Sequence, residues 1–168
     1  MSDQFFVATC QTQSSEKLFG LCDDPSPSQN PAYIDEKDGS KWIAVVENES
    51  RNNVAFTAID NCVEIRRPDG TMEKRCDGAL TYNKNIIFVE LKERSATGNN
   101  WVIDAERQLK ATIGGFENTE KAQGFEKKKA YIANSLHPKF KESQSMRMER
   151  FLSDTGYVLR IVNRISID

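Results

Sequence analysis

The sequence predicts an α/β (α+β) fold with a central mixed β-sheet flanked by helices. Three observations carry that expectation. Residues 74–94, KRCDGALTYNKNIIFVELKER, read as two strands joined by the short polar turn Asn83-Lys84-Asn85. Val102, Leu109, Ile113 and Phe116 fall on one stripe, as an amphipathic helix over 102–116 requires. Ala130 to Ala133 and Tyr157 to Ile167 then return to strand-like patterns, so strands stand on both sides of a helix. At 168 residues the chain suits a single domain spanning 1–168, with a core that needs no metal or disulfide staple.

Each element has its own warrant in chain order. Residues 1–13 form a first strand or extended segment around Phe5, Phe6 and Val7. Residues 22–41 hold three prolines among many polar residues and read as an irregular loop. Such a loop could cross over an active face, but its composition leaves little to bury and favours a poorly structured insertion. Trp42 to Val46 and Val54 to Ile59 are short apolar runs; strands suit both, and a helix across part of the region fits nearly as well. Val63 to Arg67 alternates apolar with polar and meets the turn Pro68-Asp69-Gly70. With the strands on either side of Asn83-Lys84-Asn85 it predicts a three-stranded antiparallel meander, one strand of which runs from Thr71 to Thr81.

The later elements follow the same rules. Residues 95–100 make a loop, and Gly114-Gly115 weakens the last turn of the helix and ends it. Ala130 to Ala133 is a short buried strand after a lysine-rich stretch ending in Lys127-Lys128-Lys129. His137, Lys139, Lys141, Arg147 and Arg150 form a basic run, in which Met146, Met148 and Phe151 suggest helix packing. Tyr157 to Ile167 alternates like a half-exposed edge strand.

Charge and composition exclude several function classes. The net charge of −2 argues against a strong nonspecific nucleic-acid binder, although local basic patches remain open. No apolar run is long enough to cross a membrane, and MSDQFFVATC has no basic start followed by an apolar core. The expectation is a cytoplasmic protein without a membrane partner. Cys10, Cys22, Cys62 and Cys76 are irregularly spaced and form no Cys-x-x-Cys pair, so reduced thiols are expected rather than a zinc site. A single histidine leaves little room for histidine-based catalysis.

The chemistry concentrates on the hairpin. Ile86, Ile87, Phe88, Val89 and Leu91 suit a buried strand, yet Glu90 and Lys92 interrupt it on one face. Charged groups in an apolar strand are costly unless paired or used. Asp77, followed by Gly78, can approach both near the open end of the hairpin. The competing reading of Glu90 and Lys92 is a salt bridge on an exposed edge strand. Two carboxylates and a lysine at one strand end are also what a divalent-metal hydrolytic site needs.

An Asp, a short hairpin and then Glu-x-Lys on an apolar strand resemble the PD-(D/E)xK nuclease superfamily, through Asp77, Glu90 and Lys92. Gln108, in AERQLKATI, is similar to the glutamine that many members place behind the metal site, while Cys76 stands where a proline is usual. The likeness spans roughly 54–167. It implies a restriction-endonuclease-like αβββαβ core and a nuclease acting on DNA, less readily on RNA. It further implies Mg²⁺ (or Mn²⁺) held by Asp77, Glu90 and the Leu91 carbonyl, with Lys92 beside the attacking water and Gln108 orienting it. Members often add an upstream acid, for which Glu49, Asp60 and Glu64 are candidates between which the sequence does not choose. Lys127 to Lys129 and the 139–150 run could contact phosphates, though charge runs are usually solvated faces. Trp101 could stack on a base but better suits a core position. The rival reading is a noncatalytic interaction protein on the same fold, an immunity or defence-system subunit, with a protein partner or homodimer.

Overall fold

In the computed structural model, residues 5–25, 28–93, 100–136 and 143–167 are described. The N-terminal strands are β1 (Gln11–Ser14), β2 (Leu18–Cys22), β3 (Tyr33–Asp35), β4 (Ala44–Glu47) and β5 (Val54–Ala58). The hairpin follows as β6 (Gly78–Tyr82) and β7 (Asn85–Lys92). Helix α1 (Asn100–Glu117), β8 (Lys127–Asn134), α2 (Ser145–Thr155), β9 (Val158–Arg160) and β10 (Arg164–Ser166) complete the order. One sheet runs β1-β5-β6-β7-β8-β9 and is antiparallel up to β7 and parallel beyond it. The other runs β10-β4-β2-β3. The mixed α/β fold class is therefore as expected.

The hairpin forms where the sequence marks it. Its two-residue connection turns at Asn83, whose φ of 51° is one that asparagine tolerates well. Helix α1 lays Trp101, Val102, Ala105, Leu109, Ile113 and Phe116 into the core, so Trp101 is a buried packing residue. Phe116 meets Phe5 and Phe88 edge-on, each at 5.3 Å between ring centroids. The helix runs through Gly114-Gly115 to Glu117 rather than ending there. Burying Phe116 outweighs the roughly 1 kcal/mol per glycine that helix propensity costs.

Several expected elements differ. Val63 to Arg67 is not a strand but part of an irregular loop closed by one bridge, Arg66 to Met72; β5 takes its place as the third strand of the meander. The strand carrying Asp77 begins only at Gly78. Both apolar runs upstream are strands, and among the described residues no α-helix precedes β5, so the βββαβ part of the expected order is present without a leading helix. The 22–41 loop is partly ordered. Its β3 pairs with β2, and the Ile34 amide donates to Thr12 Oγ1 at 2.9 Å while Ser14 Oγ donates to Glu36 at 2.6 Å. These bonds tie the two sheets together at β1 and β3. Tyr157 to Ile167 divides into β9 on one sheet and β10 on the other. Most of the 95–100 loop, and His137, Lys139 and Lys141 of the basic run, lie outside the described residues.

Cys10 and Cys62 form a disulfide, which corrects the expectation of reduced thiols for this pair. The β1–β5 pairing brings together two cysteines 52 residues apart, a proximity that irregular spacing cannot reveal. Cys22 and Cys76 are free and buried. Closing a loop of that length restricts the unfolded chain by about 4 kcal/mol on the chain-entropy account. Cys62→Ser is expected to lower unfolding stability by about 2–4 kcal/mol. Urea titration with and without a dithiol reductant measures it, and the variant should lose its sensitivity to the reductant.

No helix among the described residues is long and apolar enough to cross a membrane.

Candidate active site

The register of the hairpin sets the site. Gly78 pairs with Val89, so one step further out Asp77 stands opposite Glu90 on the same face of the sheet. Gly78 is required by the closeness of the neighbouring strand. A Cβ there would overlap the Phe56 ring and lie 2.7 Å from the Thr57 carbonyl oxygen.

Asp77 and Glu90 interlock through the backbone. The Asp77 amide donates to Glu90 Oε1 at 3.1 Å, and the Leu91 amide donates to Asp77 Oδ2 at 2.7 Å. In an extended strand the N–H and C=O of one residue point to the same edge. The Leu91 carbonyl therefore faces the Asp77 side, whereas the Lys92 carbonyl faces β8 and accepts from the Ser135 amide. Lys92 Nζ lies 3.1 Å from Glu90 Oε2 and donates to Gln108 Oε1 at 3.2 Å. Gln108 Nε2 reaches the Arg75 carbonyl at 3.5 Å, and the Cys76 amide donates to Thr112 Oγ1 at 2.8 Å. Helix α1 thus holds the stretch leading into Asp77 while presenting Gln108 to Lys92.

Burial governs the electrostatics. Glu90 is 2% exposed and Asp77 8%. Burial pushes Asp77 above its usual range, partly offset by the Leu91 amide. Burial pushes Glu90 well up, the facing Asp77 adds to this, and Lys92 only partly offsets it. The two carboxyls thus disfavour joint ionisation. The buried Cys76 thiol is pushed up as well, first by burial and then by Glu90 and Asp77, and is unreactive as a nucleophile.

A cleft of about 490 Å³ opens beside the pair, lined in part by Asp60, Lys74, Arg75, Lys92, Asp104 and Gln108. Arg75 is held on its wall by the Val63 carbonyl at 2.8 Å and by Asp60 at 3.3 Å.

Asp77, Glu90, Lys92 and Gln108 are therefore brought together. Of the three upstream acids, Asp60 reaches the cleft. Glu64 is exposed and pairs with Arg66, and Glu49 is exposed in the turn after β4; neither lines the cleft. One acid near the pair was not anticipated. Asp23, just past β2, is pushed up to about 7 by burial and by the charges of Asp77, Asp60, Asp24 and Glu93. It lies at the start of the 22–41 segment, whose passage over an active face was the less favoured alternative. Proline content signalled a loop there but not its course.

The donor set suits a hard divalent cation. Two carboxylates and a carbonyl are oxygen ligands of the kind magnesium takes, and it keeps several waters besides. Two buried carboxyls that disfavour joint ionisation gain most from a cation between them. Among the described residues no group of three or more His, Cys, Asp or Glu side chains is placed to hold a metal.

No protein-family model matches the chain, and comparisons with curated proteins and with solved structures return no match.

Proposed function

We propose that the protein is a metal-dependent phosphodiesterase of the PD-(D/E)xK type, acting on DNA and less readily on RNA. The observation that carries this reading is the facing pair Asp77 and Glu90, with Lys92 bonded both to Glu90 and to Gln108. In this reading Asp77, Glu90 and the Leu91 carbonyl hold Mg²⁺ or Mn²⁺. When bound, the ion supplies charge neutralisation for the phosphate and a more acidic water. Lys92 places its ammonium where negative charge develops during attack. Gln108 fixes the direction of that ammonium through its side-chain oxygen. Arg75 and Lys74, on the cleft wall, are the cations available to substrate phosphates. The cleft also carries Asp60, Glu73 and Asp104, so its own side chains give no net positive field. Substrate charge must therefore be met locally, by Lys92 and by the ion the pair would hold.

The Cys10–Cys62 disulfide weighs against a cytoplasmic setting, where thiols are kept reduced.

The test is cleavage of supercoiled plasmid, single-stranded DNA and RNA in Mg²⁺, Mn²⁺ or EDTA. Metal-dependent cutting supports the reading and identifies the polymer. A folded protein that neither cuts nor gains thermal stability from either metal would overturn it in favour of the noncatalytic interaction protein.

A further inference from the structure

Away from the cleft, the far edge of the six-stranded sheet is unusually bare. Strand β9 ends the sheet, and among the described residues it pairs only with β8, which leaves its outer backbone groups without a strand partner there. Beside it runs one face of α2. Ser145, Met148, Glu149 and Leu152 recur at the spacing of a helical stripe and, with Val158 and Arg160 of β9, line an open groove of about 270 Å³. Leu152 is 47% exposed. A large apolar side chain so exposed beside a sheet edge marks a surface that something covers.

The charges in this groove specify the occupant. Glu149 and Arg160 are both exposed, and neither forms an ion pair among the described residues. One acid and one base on the same patch are self-complementary under a two-fold axis: each Glu149 meets the other copy's Arg160, twice over. Antiparallel pairing of two β9 edges about Leu159 would set Val158 of each copy opposite Arg160 of the other. It would also bring the two Leu152 side chains towards the axis.

We propose that β9 and the Ser145–Leu152 face of α2 form a symmetric dimer interface with a second copy of this chain. Two three-residue strands and two helical faces make a small patch, so the dimer dissociates in roughly the micromolar range. The inference does not depend on the nuclease reading, because no residue of the cleft takes part.

Sedimentation equilibrium across a concentration series tests it. The wild-type protein is expected to move from one chain mass to twice that mass. Glu149→Arg alone and Arg160→Glu alone should each be monomeric over the same range, since each places like charges together. An equal mixture of the two variants should recover the dimer, because the heterodimer restores both opposite-charge pairs. A protein with merely damaged folding cannot show that recovery. A wild-type protein that stays monomeric at its highest soluble concentration would overturn the proposal. So would single variants that dimerise as well as the wild type, or a mixture that does not recover.

Discussion

Lys92→Ala is expected to lower metal-dependent DNA cleavage by about a hundred- to a thousandfold, while the protein stays folded. The ammonium is 3.1 Å from Glu90 and lines the cleft, so its loss removes the cation bonded to the pair, the role the proposed function gives it. Asp77→Asn should cost at least as much, because on the proposed function it halves the carboxylate set that would hold the metal. Gln108→Ala should cost less, about ten- to a hundredfold, since Gln108 acts through the ammonium it orients. Initial rates on the preferred polymer, with circular dichroism on each variant, measure all three. Equal rates for Lys92→Ala and wild type would sink the assignment of Lys92.

Glu90→Gln is expected to abolish cleavage and yet make the metal-free protein more stable. Glu90 is buried and faces Asp77, and its pKa in the folded state is well above the usual carboxylate range. The folded protein therefore binds more protons than the unfolded chain between the two pKa values. Stability then falls as pH rises through that interval. The carboxyls of Asp77 and Glu90 favour folding least once pH has risen through their folded-state pKa values. Asp23, moved from 3.8 to about 7, acts in the same direction over that window. The neutral amide keeps an acceptor for the Asp77 amide and carries no charge to desolvate. The melting temperature of the wild type without metal should thus decline as pH rises from 3.8 through about 7, the interval of Asp23, and that of Glu90→Gln should decline less. Added Mg²⁺ should raise the wild-type value through linkage and leave the variant nearly unmoved. A steeper decline in the variant would remove the buried-pair account.

The hairpin and the four residues around it were legible because their signals are local. Asn83 marks the turn, the alternation of strand side chains sets Glu90 and Lys92 on one face, and the apolar stripe of α1 directs Gln108 inward. What could not be read depended on distant partners. Val63 to Arg67 alternates like a strand, but β5 already occupies the edge of β6 that it would have used. The Tyr157 to Ile167 run has one continuous strand pattern, yet it serves two sheets, and nothing in its alternation marks the change. Cys10 and Cys62 meet only because β1 pairs with β5. Asp23 escaped notice because a proline-rich composition says that a segment is irregular, not where it passes. The closed ends of the network were legible only in part: Glu49 and Glu64 had the right chemistry in the wrong turns.

The division of 158–167 between two sheets also sets an order of assembly. Strands β5, β6 and β7 and helix α1 are near neighbours along the chain, so their pairing closes short loops. Strand β10 pairs with β4 only when chain positions 164 and 45 meet, a closure that costs roughly 1–2 kcal/mol more entropy than the loop between β5 and β6. Refolding should therefore secure the Asp77–Glu90 hairpin early and seat β10 late. Pulsed hydrogen exchange would register this as early protection of amides in β6 and β7. The Val45 and Ile167 amides, which bond to Asn163 and Glu47 across the β4–β10 seam, should gain protection last. The chemistry-bearing strands would then be in register before the second sheet has its final edge.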